Sequence, residues 1–157
     1  MAGGVCVLTP AHWQAAVATA IAVLMCVLLH YETLNLLDLA MQRFRSHWRR
    51  PRILVLMFSL ILLHIVEIWV FGMGYWWLAQ DAARGSLQAA NATTIAGLLD
   101  YVYFSAVVYT TLGLGDLVPH GALRFMVGTQ ALVGFLLVTW SASFTFVEMS
   151  RWWRRRP

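Results

Sequence analysis

A segment rich in threonine and glycine carries the clearest chemical signal in this sequence. Residues 109–119 read Tyr-Thr-Thr-Leu-Gly-Leu-Gly-Asp-Leu-Val-Pro, with two glycines one residue apart beside a pair of threonines. Glycine adopts backbone conformations that a side chain forbids, so Gly113 and Gly115 allow consecutive carbonyl groups to point to one side of the chain. Carbonyl oxygens arranged in this way can replace the hydration shell of a cation. The segment therefore predicts a narrow cation pathway lined by backbone oxygens.

This segment strongly resembles the selectivity filter of the tetrameric pore-loop potassium channels, which reads Thr-Val-Gly-Tyr-Gly-Asp. The resemblance extends over residues 97–150 and aligns Leu112 with the valine and Leu114 with the tyrosine of that filter. It implies that K⁺ ions bind to backbone carbonyl oxygens, with the Thr111 hydroxyl forming the innermost site. The residues that would donate these carbonyls are Thr111, Leu112, Gly113, Leu114 and Gly115. No cofactor is expected besides the permeant ion.

The same resemblance assigns supporting roles to residues around the filter. Asp116 would cap its outer end, and Thr110 would face the supporting helix. In bacterial two-span channels a tryptophan cuff holds the filter tyrosine, and the matching positions here are Tyr103 and Phe104. Val107 stands where those channels often have a glutamate that bonds the filter aspartate. We therefore expect packing, more than hydrogen bonding, to hold this filter.

Three long apolar stretches supply the elements that must position such a filter. They cover residues 13–37, 53–79 and 124–150, and at about 1.5 Å per residue each can cross a hydrocarbon core of about 30 Å. Hydrophobic residues make up 61% of the 157 residues and charged residues only 11%, which excludes a water-soluble globular protein. Residues 97–111 are apolar but too short to cross, so they predict a re-entrant helix followed by an extended return.

The chain accordingly divides into two parts. Residues 1–52 hold an N-terminal stub, the first transmembrane helix and a basic loop, and residues 53–157 form a pore domain. The pore domain comprises an outer helix, turret, pore helix, filter, inner helix and basic tail, at 53–79, 80–96, 97–109, 110–116, 124–150 and 151–157. The predicted fold class is an all-α membrane protein with three transmembrane helices and a re-entrant pore helix. One chain supplies one strand of carbonyls, whereas this type of filter uses four, so we expect a homotetramer.

The basic residues predict how the chain is oriented in the membrane. All eleven are arginines, and most fall in two clusters beside the apolar stretches. The positive-inside rule places both clusters in the cytoplasm and the N-terminus outside, in a bacterial inner (plasma) membrane. The first cluster could also bind anionic lipid, whereas nucleic acid is not an expected partner because no soluble domain remains to hold it. The clusters are Arg43, Arg45, Arg49, Arg50 and Arg52, then Arg151, Arg154, Arg155 and Arg156.

Small and polar residues recur at spacings of three and four along the third apolar stretch. They are Ala131, Gly134, Val138, Ser141, Thr145 and Glu148. A water-filled pore needs such a face, and this interpretation is favoured for Ser141 and Thr145; close helix packing is the alternative. Gly134 matches the inner-helix hinge glycine of potassium channels. Glu148 either forms a ring at the inner mouth or, more simply, pairs with Arg151 one turn later.

Two ionisable residues, His64 and Glu67, lie one turn apart inside the second apolar stretch. A carboxylate at membrane depth is costly without a partner, so both should face protein. They form either a proton- or metal-sensitive control point behind the pore helix or, as we favour, a structural hydrogen bond to Tyr101, Tyr103 or Tyr109. Polar residues near the inner end of the first stretch are interpreted as an interfacial cap: His30, Tyr31, Glu32 and Asp38.

Other functions compete with a potassium channel. A non-selective cation channel remains open because of Leu114, Phe104 and Val107, and a non-conducting subunit could keep the same fold. Gly-Leu-Gly-Asp also resembles the Gly-x-Gly-Asp motif of intramembrane aspartyl proteases. That enzyme needs a second aspartate in an adjacent span, where this sequence offers only Glu67. We therefore expect no enzymatic activity.

Overall fold

The computed structural model describes residues 9–43, 51–90 and 97–153, without the side chains of residues 43, 51, 52, 152 and 153. This part of the chain is predominantly helical and contains one small antiparallel sheet. The elements run in the order α1 Pro10–Arg43, α2 Pro51–Ala79, β1 Gly85–Ala89, α3 Leu98–Tyr109, β2 Leu117–Gly121 and α4 Leu123–Trp153. The structure therefore does not describe some residues of the basic loop, of the turret and of both chain ends.

Helices α1, α2 and α4 are the transmembrane elements. Their apolar lengths, Pro10–Gln42, Ile53–Ala79 and Leu123–Arg151, are each sufficient to cross a bilayer. Helix α3 has 12 residues, too few to cross, and the chain returns from it without another helix before β2. The predicted fold class, three transmembrane helices with a re-entrant pore helix, is confirmed. Only 22% of the most apolar window of each long helix is buried within this chain, so most of its apolar surface faces outward.

The main core lies where α3 packs between the C-terminal half of α2 and the first half of α4. Phe71, Tyr75 and Leu78 of α2 are fully buried there, together with Leu123 and Met126 of α4. The Tyr75 ring meets the buried Phe104 ring of α3 edge to face, with centroids 5.2 Å apart. A second apolar cluster joins α1 and α2 nearer the other end of both helices. It contains Leu34, Leu37, Leu56, Leu60 and Leu63.

A buried polar relay connects the three helices inside this core. The Tyr75 hydroxyl donates to Gln130 Oε1 at 2.6 Å, and Gln130 Nε2 donates to Ser105 Oγ at 2.7 Å. Ser105 Oγ donates in turn to the Ile68 carbonyl at 2.8 Å. Because lipid offers no hydrogen bonds, each of these groups must find its partner within the protein. The relay therefore holds α3 at a defined position between α2 and α4.

The two short strands add a feature that the predicted all-α fold and its exposed turret did not include. Strand β1 pairs antiparallel with β2, with Gly85 opposite Gly121 and Leu87 opposite Pro119. Leu87 is buried, and a Cβ on Gly121 would lie 2.9 Å from the Gly85 Cα. The pairing was missed because β1 is short, small and polar, and its partner follows about thirty residues later in the sequence. The sheet ties the turret to the segment that follows the filter.

Helix α4 passes very close to the C-terminal end of α3. A Cβ added to Gly134 would overlap the backbone carbonyl of Tyr109, whereas nothing lies within 4 Å of a Cβ at Gly128 on the same helix. Helices in membranes associate through such close approaches, since no hydrophobic force drives them together in lipid. Gly134 therefore has a packing role, and its role as a gating hinge stays a prediction.

We expect Gly134→Ala to destabilise the protein by about 1–3 kcal/mol, the usual range for an overpacked site. The added methyl must push α4 away from the Tyr109 carbonyl. Thermal unfolding in detergent checks this, with Gly128→Ala as the matched control on the same helix. The control should be as stable as the parent or slightly more so, because alanine favours a helix. Equal melting temperatures for the two variants would contradict the close approach.

Candidate functional site

The backbone between α3 and β2 has an alternating conformation. Thr111, Gly113 and Gly115 have positive φ angles of 57°, 59° and 76°. Leu112 and Leu114, between them, do not, and their side chains are 63% and 58% exposed. Alternation of the sign of φ turns successive peptide planes so that their carbonyl oxygens face one side of the chain. This is the conformation that a carbonyl-lined cation pathway requires.

Hydrogen bonds from the first residues of this segment set the direction in which the carbonyls point. The Thr111 amide donates to the Val108 carbonyl and the Leu112 amide to the Val107 carbonyl, both at 3.0 Å. In a trans peptide the C=O points opposite to the N–H. The carbonyls of Thr110 and Thr111 therefore point away from α3, toward the open side of the chain.

Helix α3 supports this segment electrostatically as well as mechanically. Its C-terminal end carries partial negative charge from the helix dipole, and it ends at Tyr109, directly before the filter segment. The Thr110 hydroxyl donates to the Ala106 carbonyl of α3 at 2.8 Å, so this side chain contacts the helix as expected. At the other end, the Gly97 amide donates to Asp100 Oδ2 at 3.2 Å. The N-terminus of α3 is therefore capped. The negative potential at its C-terminus lies beside the filter segment and favours cations there.

Hydrogen bonds of Asp116 add to packing at the outer end of the segment, and the expectation that packing contributes more stays a prediction. The Tyr103 hydroxyl donates to Asp116 Oδ2 at 2.7 Å, and the Leu117 amide donates to Asp116 Oδ1 at 3.1 Å. The hydrogen bond to Asp116 also raises the pKa of Tyr103 above its usual value, so the hydroxyl keeps its proton. Phe104 and Val107 are buried behind the segment. Tyr103 therefore supplies a polar brace where the resemblance indicated only a cuff position.

Glu67 is the centre of a buried polar cluster beside the last residue of α3. One carboxylate oxygen, Oε1, lies 2.9 Å from His30 Nδ1 of α1. The other, Oε2, lies 3.0 Å from His64 Nδ1 and accepts a hydrogen bond from the Tyr109 hydroxyl. Glu67 and His30 are completely buried, whereas the His64 side chain is 19% exposed. Of the three tyrosines considered from the sequence, Tyr109 is the partner.

His30 is the residue that sequence reasoning misplaced. It was interpreted as part of an interfacial cap, but it is buried and joins α1 to Glu67 of α2. Its ring also lies 5.2 Å from the Trp140 ring of α4. The sequence contains a signal for the burial of His30, because the buried residues of α1 recur every three to four positions and mostly have small side chains. That buried face runs through Ala15, Thr19, Ala22, Cys26, His30 and Leu34.

The predicted pore-lining residues of α4 do not share one environment. Ser141 is buried within the chain, with its hydroxyl 3.4 Å from His30 Nε2. This corrects the prediction for Ser141, since a side chain buried against α1 does not face a pathway between subunits. Val138 is 43% exposed, and the Thr145 hydroxyl donates to the Ser141 carbonyl at 2.8 Å. A pore-lining role for Val138 and Thr145 stays a prediction.

Charged residues join α1 and α4 near the end of α4. Arg151 bonds the Glu148 carboxylate, the pairing favoured from the sequence, and its Nη1 also lies 3.3 Å from Asp38 Oδ1 of α1. The predicted lipid-binding residues Arg45, Arg49 and Arg50 are outside the described residues, as are the side chains of Arg43 and Arg52. Lipid binding therefore stays a prediction.

The three spans, the short helix between two of them and the returning segment with its carbonyls on one side define a pore-loop membrane protein. A family model described as an ion channel matches residues 52–151, more than half of the chain. The chain therefore belongs to this ion channel family. Membership points to a transport role rather than an enzymatic one. Helix α1 precedes the matched residues.

A relative of this chain occurs in Bacillus subtilis (strain 168), where it is named uncharacterized membrane protein YdjJ. The two are 32% identical over 94 residues, which cover 58% of this chain and 27% of YdjJ. This chain thus spans about a quarter of the length of that relative. No solved structure matches the chain.

We expect Tyr109→Phe to lower the free energy of unfolding by about 1–3 kcal/mol, because it removes a donor from the buried Glu67 carboxylate. Tyr31→Phe removes a hydroxyl from an exposed residue of α1 and serves as the matched control. Reversible unfolding in detergent compares the two variants with the parent. A Tyr109→Phe protein as stable as the control would show that the cluster contributes little to the fold.

Proposed function

We propose that four copies of this chain form a potassium-permeable channel. Dehydrated K⁺ ions would bind to the carbonyl oxygens of the filter, which are those of Thr111, Leu112, Gly113, Leu114 and Gly115. The observation that supports this proposal is the alternation of φ at Thr111, Gly113 and Gly115. Amide hydrogen bonds to α3 turn the first carbonyls outward. A membrane-spanning helix is stable without such a backbone, whereas a cation pathway lined by carbonyl oxygens requires one.

The exposure of the filter in the single chain supports the proposed homotetramer. Leu112 and Leu114 are more than half exposed, and the Thr111 carbonyl points away from α3. Irregular backbone at membrane depth is tolerated only where protein or a water-filled cavity surrounds it. Neighbouring copies would supply that surrounding, and closed symmetry would place four identical filters around one axis. The outward-facing apolar surface of the long helices is available for the same contacts.

For orientation, we propose that the N-terminus and the outer end of the filter face outward from a bacterial inner membrane. Both arginine clusters would then lie in the cytoplasm, as the positive-inside rule requires. Arg151 lies at the end of α4 that would face inward, where it bonds Glu148 and Asp38. The Glu148 carboxylate is thereby engaged by an arginine, which favours the pair over a free ring of carboxylates at the inner mouth.

A non-selective cation channel is the second candidate. Leu114 has no hydroxyl to anchor the centre of the filter, and its side chain is largely exposed. Potassium selectivity is favoured by the brace from Tyr103 to Asp116, because a restrained filter keeps its carbonyl spacing. A non-conducting subunit with the same fold is distinguished from both only by the absence of ion flux.

Ion flux into liposomes that contain purified protein tests the proposal. We expect potassium uptake by the parent and none by Gly113→Ala, because the added methyl strains a position with φ of 59° and turns the carbonyl from the pathway. Gly97→Ala is the matched control, since its backbone is extended and nothing lies within 4 Å of an added Cβ. Absence of flux from a folded, reconstituted parent would favour the non-conducting subunit.

Reversal potentials under a gradient of potassium against sodium distinguish the two channel candidates. We expect the parent to reverse near the potassium equilibrium potential and Tyr103→Phe to shift toward zero, because the variant removes the brace on Asp116. Tyr101→Phe removes a hydroxyl from the same helix and leaves both Asp116 hydrogen bonds in place, so it should behave as the parent does. A parent that reverses near zero would establish the non-selective channel.

A further inference from the structure

Three side chains of metal-ligating type converge where α1 and α2 meet the end of α3. They are His30 of α1 with His64 and Glu67 of α2, and one possible ligand atom from each lies within 4.8 Å of the others. Both histidines direct Nδ1 toward the carboxylate, at 2.9 Å from Oε1 and 3.0 Å from Oε2. The three side chains thus converge on one another, and His64 Nδ1 also lies 2.9 Å from the Tyr109 hydroxyl.

We propose that His30, His64 and Glu67 form a binding site for a divalent transition-metal cation of the zinc class. Two imidazoles and a carboxylate suit zinc and neighbouring transition metals, whereas calcium and magnesium prefer all-oxygen ligands. Three protein ligands leave one position of a tetrahedral ion for water. The proposal concerns binding alone and does not depend on whether the chain conducts ions.

The distances fit such an ion after a small adjustment. Tetrahedral zinc with bonds of about 2.0–2.1 Å holds neighbouring ligand atoms about 3.3 Å apart. The distance from His30 Nδ1 to Glu67 Oε1, 2.9 Å, is a few tenths of an ångström shorter, and the possible ligand atoms of all three residues lie within 4.8 Å of one another. A metal ligand must be deprotonated at the ligating atom, so each imidazole would bind as the tautomer whose proton lies on Nε2.

Partners outside the ligand set hold these side chains in place. The Tyr109 hydroxyl donates to Glu67 Oε2, and this leaves Oε1 free to ligate the ion. Ser141 Oγ lies 3.4 Å from His30 Nε2, where it can accept the proton of the tautomer that presents Nδ1 to a metal. Hydrogen bonds of this kind, to the second nitrogen of a histidine and to the carboxylate, accompany most metal-ligating residues.

The charge of the site also favours a cation. Glu67 is completely buried in a membrane-spanning helix, where an uncompensated carboxylate is costly. Among the described residues, its salt-bridge partners are the two histidines, which are charged only when protonated. The Tyr109 hydroxyl also donates to this carboxylate, and the Cys26 thiol lies 3.8 Å from the backbone carbonyl of Glu67; neither group carries a positive charge. A divalent ion would compensate the carboxylate without protonating either imidazole.

Metal binding would join an additional helix to the pore domain. Only residues 52–151 match the ion channel family, so His30 comes from the helix that precedes the match, whereas His64 and Glu67 lie within it. The site would thus clamp α1 against α2 directly beside Tyr109, the last residue of the pore helix. Without the ion, hydrogen bonds alone would hold α1 against α2 at this point.

The test uses the tag-free 157-residue chain in detergent, stripped with EDTA, loaded with Zn²⁺ or Co²⁺ and then desalted. We expect one metal ion per protomer by mass spectrometry and a Co²⁺ absorption spectrum typical of tetrahedral nitrogen and oxygen ligation. His30→Gln and Glu67→Gln should bind more than about 10-fold more weakly, and Ser141→Ala about 10- to 100-fold more weakly. His120→Gln, an exposed residue of β2, is the matched control and should bind as the parent does.

Stability provides a second readout if a variant fails to fold. Zn²⁺ that binds only the native parent must raise its unfolding temperature with increasing concentration, and EDTA must reverse the rise. A parent that retains no metal after loading, or that retains as much as Glu67→Gln, overturns the proposal. So does an octahedral Co²⁺ spectrum, or an unfolding temperature that responds to pH and not to Zn²⁺. The cluster would then be a proton-bonded structural network.

Discussion

The absence of hydrogen-bonding partners in lipid is the constraint on which this architecture depends. Backbone N–H and C=O groups at membrane depth must be satisfied inside the protein, and a continuous helix does this without help. The segment after α3 is not helical. Its first amides, at Thr111 and Leu112, are satisfied by carbonyls at the end of α3. The carbonyls of the same peptides point away from α3, where the proposed ion binding and subunit contacts would satisfy them.

This constraint explains why the pore helix is held so firmly. Ser105 of α3 takes part in a relay with Gln130 and Tyr75, and Tyr109 at its end bonds Glu67. Close backbone approaches supplement these bonds, because a Cβ at Gly72 would lie 2.9 Å from Val102 Cα. Helix packing in lipid relies on such small-residue contacts and on polar groups rather than on hydrophobic force. Displacement of α3 would therefore break several buried hydrogen bonds together.

Helix α1 is more than an added span. It contributes Cys26 and His30 to the contacts around Glu67, and Asp38 to the charged group at Arg151. These contacts lie at two levels along the helix, so α1 is attached to the pore domain both beside the pore helix and near the end of α4. The ion channel family match covers the pore domain without α1. The polar attachments of α1 are thus features of this chain beyond that domain.

Local patterns in the sequence were sufficient to identify the spans, the short helix and the irregular backbone that follows it. Apolar length identifies α1, α2 and α4, and the spacing of Gly113 and Gly115 indicates the unusual backbone between Tyr109 and Leu117. These properties depend on residues adjacent in the chain, so one sequence is enough to read them. The i,i+3 pair of Glu148 and Arg151 is local for the same reason.

Contacts between distant parts of the chain were decided only by the tertiary structure. The burial of Ser141 against α1, the brace from Tyr103 to Asp116 and the pairing of β1 with β2 all join segments separated in sequence. Each depends on how a helix is rotated about its axis or how a loop returns. An apolar helix with weak sidedness leaves that rotation undetermined until its neighbours are in place. Residue type and spacing thus identified the segment proposed to line the pathway, and helix packing determined which side chains surround that segment.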